Sequence, residues 1–207
     1  MKITSWNIQH GEVYAAGTEV DRMAEIVRTV KAFNCDVLAL QEVDQLNERS
    51  NLEEQTKLFA EIMGAKFWAF APSVIGTPGE KWRKLNERDP KYISNNAIGD
   101  LAGSYGIGIA SNIPVIKWHR LELGRSVIGM PLVVPTESET SSRPKIRAIY
   151  VRDEPRVALA ATLQNGFTVI NTHLSFVPFF NYRQLKQTKR WANTLGVSPE
   201  KVLLMGD

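Results

Sequence analysis

One cysteine, Cys35, stands in 207 residues, so no intrachain disulfide framework holds this chain together. It lies between Phe33 and Val37 and reads as a small buried residue. No apolar stretch approaches the ~20 residues that a helix needs to cross a bilayer. The start, Met1-Lys2-Ile3-Thr4-Ser5-Trp6, lacks the long apolar core of a secretory leader. These absences make a cytoplasmic protein the expectation. No repeat and no low-complexity tract interrupts the chain, so an array or a disordered linker is not expected. Charge of one sign does not dominate: 25 Lys and Arg face 22 Asp and Glu, a formal charge of +3. That mild basic excess fits a phosphate-bearing substrate without singling one out. With 43% hydrophobic and 23% charged residues the composition is that of an ordinary globular protein. A single domain spanning 1–207 is expected, long enough to bury a sizeable core.

What the chain does have is a set of short apolar runs that each end on a polar residue. Lys2-Ile3-Thr4-Ser5-Trp6 leads into Asn7, and Val37-Leu38-Ala39-Leu40-Gln41 leads into Glu42. Thr168-Val169-Ile170-Asn171-Thr172 leads into His173, and Lys201-Val202-Leu203-Leu204-Met205-Gly206 leads into Asp207. A strand that buries its apolar residues holds a polar terminal residue rigidly at the rim of a sheet. Each residue alone has an ordinary explanation. Asn at a strand end satisfies local backbone, Glu marks a strand emerging into water, and His is a satisfied structural histidine. The four together point to metal-assisted chemistry on phosphoesters. A carboxylate suits a hard cation, an amide serves either a cation or a phosphate, and an imidazole steadies charge on a phosphoryl oxygen.

Helical periodicity covers 18–34, with Thr18 as the expected N-cap and Val20, Met23, Ile26, Val27 and Val30 on one face. A second helix is expected from about Asn51 to a stop at Gly64, and a third from Phe180 to Leu195. Strands are expected at 2–7, 36–42, 66–72, 104–111, 114–122, 146–151, 156–163, 167–173 and 201–206, with a tight hairpin at Gln164-Asn165-Gly166. Residues 73–103 and 124–145 read as long surface loops. Strands outnumber helices, so two sheets packed face to face with helices outside are expected. Arg156, opening a strand that should pair with 167–173, is placed to offer a bidentate contact to a phosphate. Asp44 is expected on the following loop, supporting the site or capping a helix, and His10 on a loop close behind Asn7. The segment with Lys81, Trp82, Arg83, Lys84, Arg88, Lys91 and Tyr92 is a candidate basic loop for a nucleic-acid backbone. Phe176, Val177, Pro178, Phe179 and Phe180 would suit a lipid surface or a core.

The stretches Ile3-Thr4-Ser5-Trp6-Asn7-Ile8, Asp36-Val37-Leu38-Ala39-Leu40-Gln41-Glu42-Val43, Ile170-Asn171-Thr172-His173-Leu174 and Leu203-Leu204-Met205-Gly206-Asp207 occur in a telling order. In that order the chain resembles the endonuclease/exonuclease/phosphatase superfamily. Tyr105-Gly106-Ile107-Gly108-Ile109-Ala110-Ser111-Asn112-Ile113-Pro114 is similar to its central strand pair. The resemblance implies an α/β fold: a four-layered sandwich of two mostly antiparallel β-sheets flanked by helices. It implies Mg²⁺ or Mn²⁺ at Glu42, with Asn7 binding metal or phosphate, His173 on the scissile phosphate and Asp207 positioning the attacking water. Members usually continue past Gly-Asp with Phe-Asn, further strands and a closing Ser-Asp-His whose His is the general base. None of that follows Asp207, and neither His10 nor His119 fits the role, so the resemblance implies a fragment lacking the usual last strands, whose own turnover is in question. The expected activity is divalent-metal-dependent hydrolysis of a phosphoester: nucleic acid, a phosphorylated small molecule or a lipid headgroup. The alternative is a non-catalytic binding or scaffold protein that keeps the fold.

Overall fold

Runs that are apolar at every position bury both faces of a strand, which demands cover on two sides. In the computed structural model, which describes residues 1–12, 21–96, 101, 103–136 and 145–207, that cover comes from a second sheet on one side and helices on the other. In chain order the elements are β1 (Ile3–Asn7), α1 (Arg22–Phe33), β2 (Val37–Gln45), α2 (Gln55–Met63), β3 (Phe67–Gly76), β4 (Trp82–Arg83) and β5 (Ile93–Ser94). There follow β6 (Ser104–Ser111), β7 (Val115–Gly124), β8 (Met130–Thr136), β9 (Lys145–Val151), β10 (Arg156–Leu163), β11 (Thr168–Thr172), α3 (Phe180–Ala192) and β12 (Val202–Gly206). The first sheet has the order β1-β2-β6-β3-β4, with β5 against β3, and the second β12-β11-β10-β7.

Alternation along the strands sorts three apolar layers. Leu38, Leu40 and Phe70 pack outward with Ile26, Val30 and Phe59 of α1 and α2. Val37, Ala69, Ile107 and Ile109 face Val157, Leu159, Leu163 and Val169 between the sheets. Ala158, Ala160 and Ile170 pack outward with Ala192 and Trp191 of α3. The order is helix, sheet, sheet, helix, as the resemblance implies.

One topological detail positions the site. Most neighbouring strands are antiparallel, but β1 pairs β2 in parallel and β11 pairs β12 in parallel. Parallel neighbours present their C-terminal ends at the same sheet edge. The two pairs abut across the sandwich, β1 and β2 touching β12 and β2 touching β11. All four polar strand ends therefore meet at one rim.

Several boundaries differ from expectation. Helix α1 begins at Arg22, where Asp21 accepts from the Met23 and Ala24 amides at 3.0 and 3.1 Å; Thr18 and Val20 lie outside the described residues. Helix α2 starts at Gln55 rather than Asn51, because Asn51 and Leu52 adopt positive φ, which a helix cannot continue. Gly64 stops it with φ 75° as expected. The stretch 124–145, read as irregular, contains β8 and the start of β9, which pair as a separate antiparallel ribbon; Glu137 and Glu139 lie outside the described residues. Strand β3 runs on to Gly76 and gains β4 and β5 from the supposed loop. Cys35 is buried and free. Among the described residues no helix is long and apolar enough to cross a membrane.

Candidate functional site

Strand β2 does not end at Glu42. It continues to Gln45, and Glu42 sits on a bulge. Leu40 pairs with Gly108 and Val43 with Gly106, so Gln41 and Glu42 together oppose one residue of β6. Glu42 takes φ 55°, a left-handed conformation rare for a residue with a Cβ. The bulge swings its carboxylate out to the rim. Beneath the bulge Asn171 reaches across from the other sheet. Its Nδ2 donates to Leu40 O at 2.8 Å and Gly108 O at 2.9 Å, and its Oδ1 accepts from Gln41 Nε2 at 2.6 Å. Asn171, noticed in the sequence only as part of a motif, fastens the two sheets beneath the site.

At the rim Asn7 Nδ2 donates to Glu42 Oε1 at 2.7 Å and to Asp207 Oδ2 at 2.8 Å. Asn7 Oδ1 accepts from the Gln9 amide at 3.1 Å, so the amide turns its N–H side to the carboxylates. Asp207 is exposed, but its backbone is held: its N–H donates to Thr172 O, and its C=O accepts from Leu174 N at 2.7 Å. Gly206, at φ 139°, makes that approach possible, since a Cβ there would run into the Thr172 carbonyl.

His173 Nε2 lies 4.0 Å from Glu42 Oε1. Its Nδ1 is 3.0 Å from Arg156 Nη1. A guanidinium only donates, so Nδ1 is the acceptor and the ring proton sits on Nε2, facing the carboxylate side. Burial first, then Arg156, hold the imidazole down to about 3, against an upward pull from Asp207. His173 is therefore neutral at pH 7, and its approach to Glu42 is not an ion pair.

Arg156 is 4% exposed, which excludes a bland surface arginine. Its Nη2 meets Glu154 Oε1 at 2.8 Å. Its Nε lies 3.9 Å from Asp153 Oδ1, beyond hydrogen-bond reach, and among the described residues neither atom has another partner. Burial raises the Glu154 carboxyl, with Arg156 pulling the other way. Asp153 Oδ2 accepts from Ser126 N at 2.6 Å and Ser175 Oγ at 2.8 Å, which ties the loops before β8 and after β11 to Arg156. Asp153 and Glu154 were missed in the sequence; the available signal was an acidic pair three and two residues ahead of a strand-opening arginine. Tyr105 was missed as well. Its phenol, buried beside Glu42, is pushed upward first by burial and then by that carboxylate.

Other candidates fall away from the rim. Asp44 lies within β2, fully buried, and pairs with Arg49 at 2.8 Å rather than serving on a loop. His10 Nε2 pairs with Glu12 at 3.0 Å. The basic loop is partly neutralised, Arg83 against Asp89 at 2.6 Å and Lys91 against Glu122 at 3.6 Å. Phe179 is 89% exposed just beyond His173, so that part of the aromatic cluster is not core.

Among the described residues no three His, Cys, Asp or Glu side chains form a ready metal cage. Two carboxylates sharing one amide nonetheless fit a hard cation that keeps several waters and takes one or two protein oxygens. Stacked mixed sheets between helices, with carboxylates, an amide and an imidazole gathered at strand ends, define a phosphoesterase fold. The model of the Endonuclease/Exonuclease/phosphatase family matches residues 4–207, and the chain belongs to that family. Among solved structures it is similar to ANGEL2, a 2′,3′-cyclic phosphatase, at 19% identity and TM-score 0.49, covering 90% of this chain and 42% of that one. It is also similar to an endonuclease/exonuclease/phosphatase from Beutenbergia cavernae DSM 12333, at 20% identity and TM-score 0.46, covering 91% and 42%. An endonuclease/exonuclease/phosphatase family protein from Leptotrichia buccalis C-1013-b shows 14% identity and TM-score 0.48, covering 100% and 66%. The chain thus spans 42% of the length of the first two. No curated protein matches it.

Proposed function

We propose that this protein belongs to an enzyme that hydrolyses phosphoester bonds with a divalent cation, Mg²⁺ or Mn²⁺, held at Glu42. The observation that carries the reading is the meeting of Asn7, Glu42, His173 and Asp207 at one rim, with the His173 proton on Nε2. Glu42 supplies the anionic oxygen for the cation, and Asp207 faces it across Asn7. A bound cation would polarise the phosphoryl group and offset its charge. Asn7 holds the two carboxylates at a fixed separation by donating to both. His173 Nε2–H donates to a non-bridging phosphoryl oxygen, a hydrogen bond that strengthens as charge builds there. Asp207, exposed and acceptor-only when ionised, orients the attacking water. Burial and Arg156 keep His173 neutral, and Arg156 holds that tautomer. With Nη1 and Nη2 on His173 and Glu154, its work is positioning rather than an open bidentate grip.

The test is hydrolysis of bis-p-nitrophenyl phosphate by the purified protein with Mg²⁺, Mn²⁺ or chelator, alongside calorimetric metal titration of the wild type and Glu42→Ala. Hydrolysis that needs metal, and metal binding that weakens in Glu42→Ala, are the expected results. Absence of metal-dependent turnover together with unchanged binding in the variant would leave a scaffold rather than an enzyme.

A further inference from the structure

Beside Arg156 lies a cavity of about 140 Å³ between β7, β10 and the loop that carries Lys84. Its walls include Lys84, Arg120, Arg125 and Arg156, with Glu122 as the one carboxylate and Ser73 as a hydroxyl. Arg156 is paired with Glu154, which leaves Lys84, Arg120 and Arg125 against Glu122.

The single carboxylate is already occupied. Glu122 Oε1 takes Arg120 Nη1 at 2.8 Å and Lys91 Nζ at 3.6 Å. Arg120 has a side chain only 7% exposed; Nη2 donates to Pro72 O at 3.0 Å, and Nε is buried with no partner among the described residues. A buried guanidinium N–H without an acceptor is costly unless something supplies one. Arg125 spends Nη1 on Asp153 O at 3.2 Å and lies over the Trp82 ring at 5.6 Å, which leaves its charge uncompensated by any carboxylate among the described residues. Lys84 likewise has no carboxylate partner among them. The basic segment noticed in the sequence thus borders the cavity here, with Trp82 under Arg125 and Lys84 in the wall.

We propose that this cavity is a second anion subsite, which takes a phosphate monoester group of a small substrate whose scissile phosphate sits at His173. The inference rests on the phosphoester reading above and adds a substrate class, phosphoesters that carry a further phosphate. Arg156 joins the two places, since it contacts His173 and also lines the cavity. The size favours a compact group. Pockets for whole drug-sized ligands run to roughly 300–1,000 Å³, and about 140 Å³ matches a group of phosphate size. Two uncompensated cations, Lys84 and Arg125, also suit the doubled charge of a monoester better than the single charge of a chain phosphate.

The test has two arms. In the first, inorganic phosphate is titrated calorimetrically, without divalent metal, into the wild type, His173→Gln, and His173→Gln carrying Lys84→Gln or Arg125→Gln. Phosphate binding should persist in His173→Gln and weaken about tenfold with each added charge removal. Equal affinity in all four proteins overturns the subsite, whether or not the protein hydrolyses anything. Two separate charge variants guard against one that fails to fold. In the second arm, kcat/KM for a small bisphosphorylated ester is compared with that for bis-p-nitrophenyl phosphate in wild type and Lys84→Gln. The ratio should fall about tenfold, through KM, in the variant. A ratio that stays constant overturns the proposal, as does a selective loss on single-stranded DNA instead. Absence of hydrolysis in every protein, with the phosphate site intact by calorimetry, would strike the phosphoester reading and not the cavity.

Discussion

Glu42 and His173 reach the same rim from opposite sheets, 4.0 Å apart, by different physical means. Glu42 is delivered by a defect. A bulge and a φ of 55° turn it out of β2, and a single amide, Asn7, steadies its partly exposed carboxylate. His173 is delivered by order. It follows the regular strand β11, and its ring is fixed by a chain of buried charge running from Arg156 to Glu154 and Asp153. The wet side can tolerate local backbone strain because water solvates its charge whatever the exact geometry. The dry side cannot leave any charge unpaired, so its precision comes from a network.

The largest effect is expected on the dry side. Arg156→Met removes the only counter-charge that Glu154 has among the described residues, and the Glu154 side chain is 9% exposed. Breaking a buried pair from one end costs about 3–5 kcal/mol. Chemical denaturation should show a loss of that size, and a second change, Glu154→Gln, should return part of it. Arg156→Lys should not rescue, since one ammonium cannot span His173 Nδ1 and Glu154 Oε1 in the way the guanidinium fork does. Next comes Glu42→Gln on the wet side. Its shape is kept and its charge lost, so metal-dependent kcat should fall ~10²–10³-fold, while denaturation midpoints move little.

How much of this was legible follows the same divide. The four strand ends could be read because an apolar run that stops on a polar residue is a local pattern, and because both parallel pairs carry their helices between them. The bulge could not be read, since its surroundings include Asn171 of another sheet, bonded to the carbonyls of Leu40 and Gly108. Local sequence around Glu42 says nothing of that. Asp153 and Glu154 were passed over as loop residues, because their role appears only when Arg156 folds inward. Strand β8 was hidden by Pro131 and Pro135, which have no N–H to give and are tolerated in a two-stranded edge ribbon.

Acid separates the two sides next. The His173 imidazole titrates at about 3 in the folded protein against the usual 6.5. Below pH 6.5 the unfolded chain binds a proton there that the native state refuses, so stability falls as pH drops from 6.5 toward 3 and is untouched above that range. Between pH 6.5 and 5 the loss is on the order of 2 kcal/mol. His173→Asn should flatten the slope in that window. An unchanged slope would mean that the ring is protonated in the native state and that Arg156 does not face Nδ1.

The smallest effect is the sharpest test of how Glu42 is presented. Glu42→Ala and Glu42→Gly both delete the carboxylate, its bond to Asn7 and the place proposed for a cation, so both should be equally inactive. They differ in one respect. Alanine keeps a Cβ at φ 55°, whereas glycine adopts that conformation freely. Glycine in the unfolded chain loses more entropy on folding, which by itself would make it the less stable of the two. If the bulge is a real left-handed kink, relief of the steric cost should win, and Glu42→Gly should exceed Glu42→Ala in denaturant stability by about 1 kcal/mol. The reverse order would mean that β2 passes Glu42 as regular strand, and the wet side would then differ from the dry side only in its exposure.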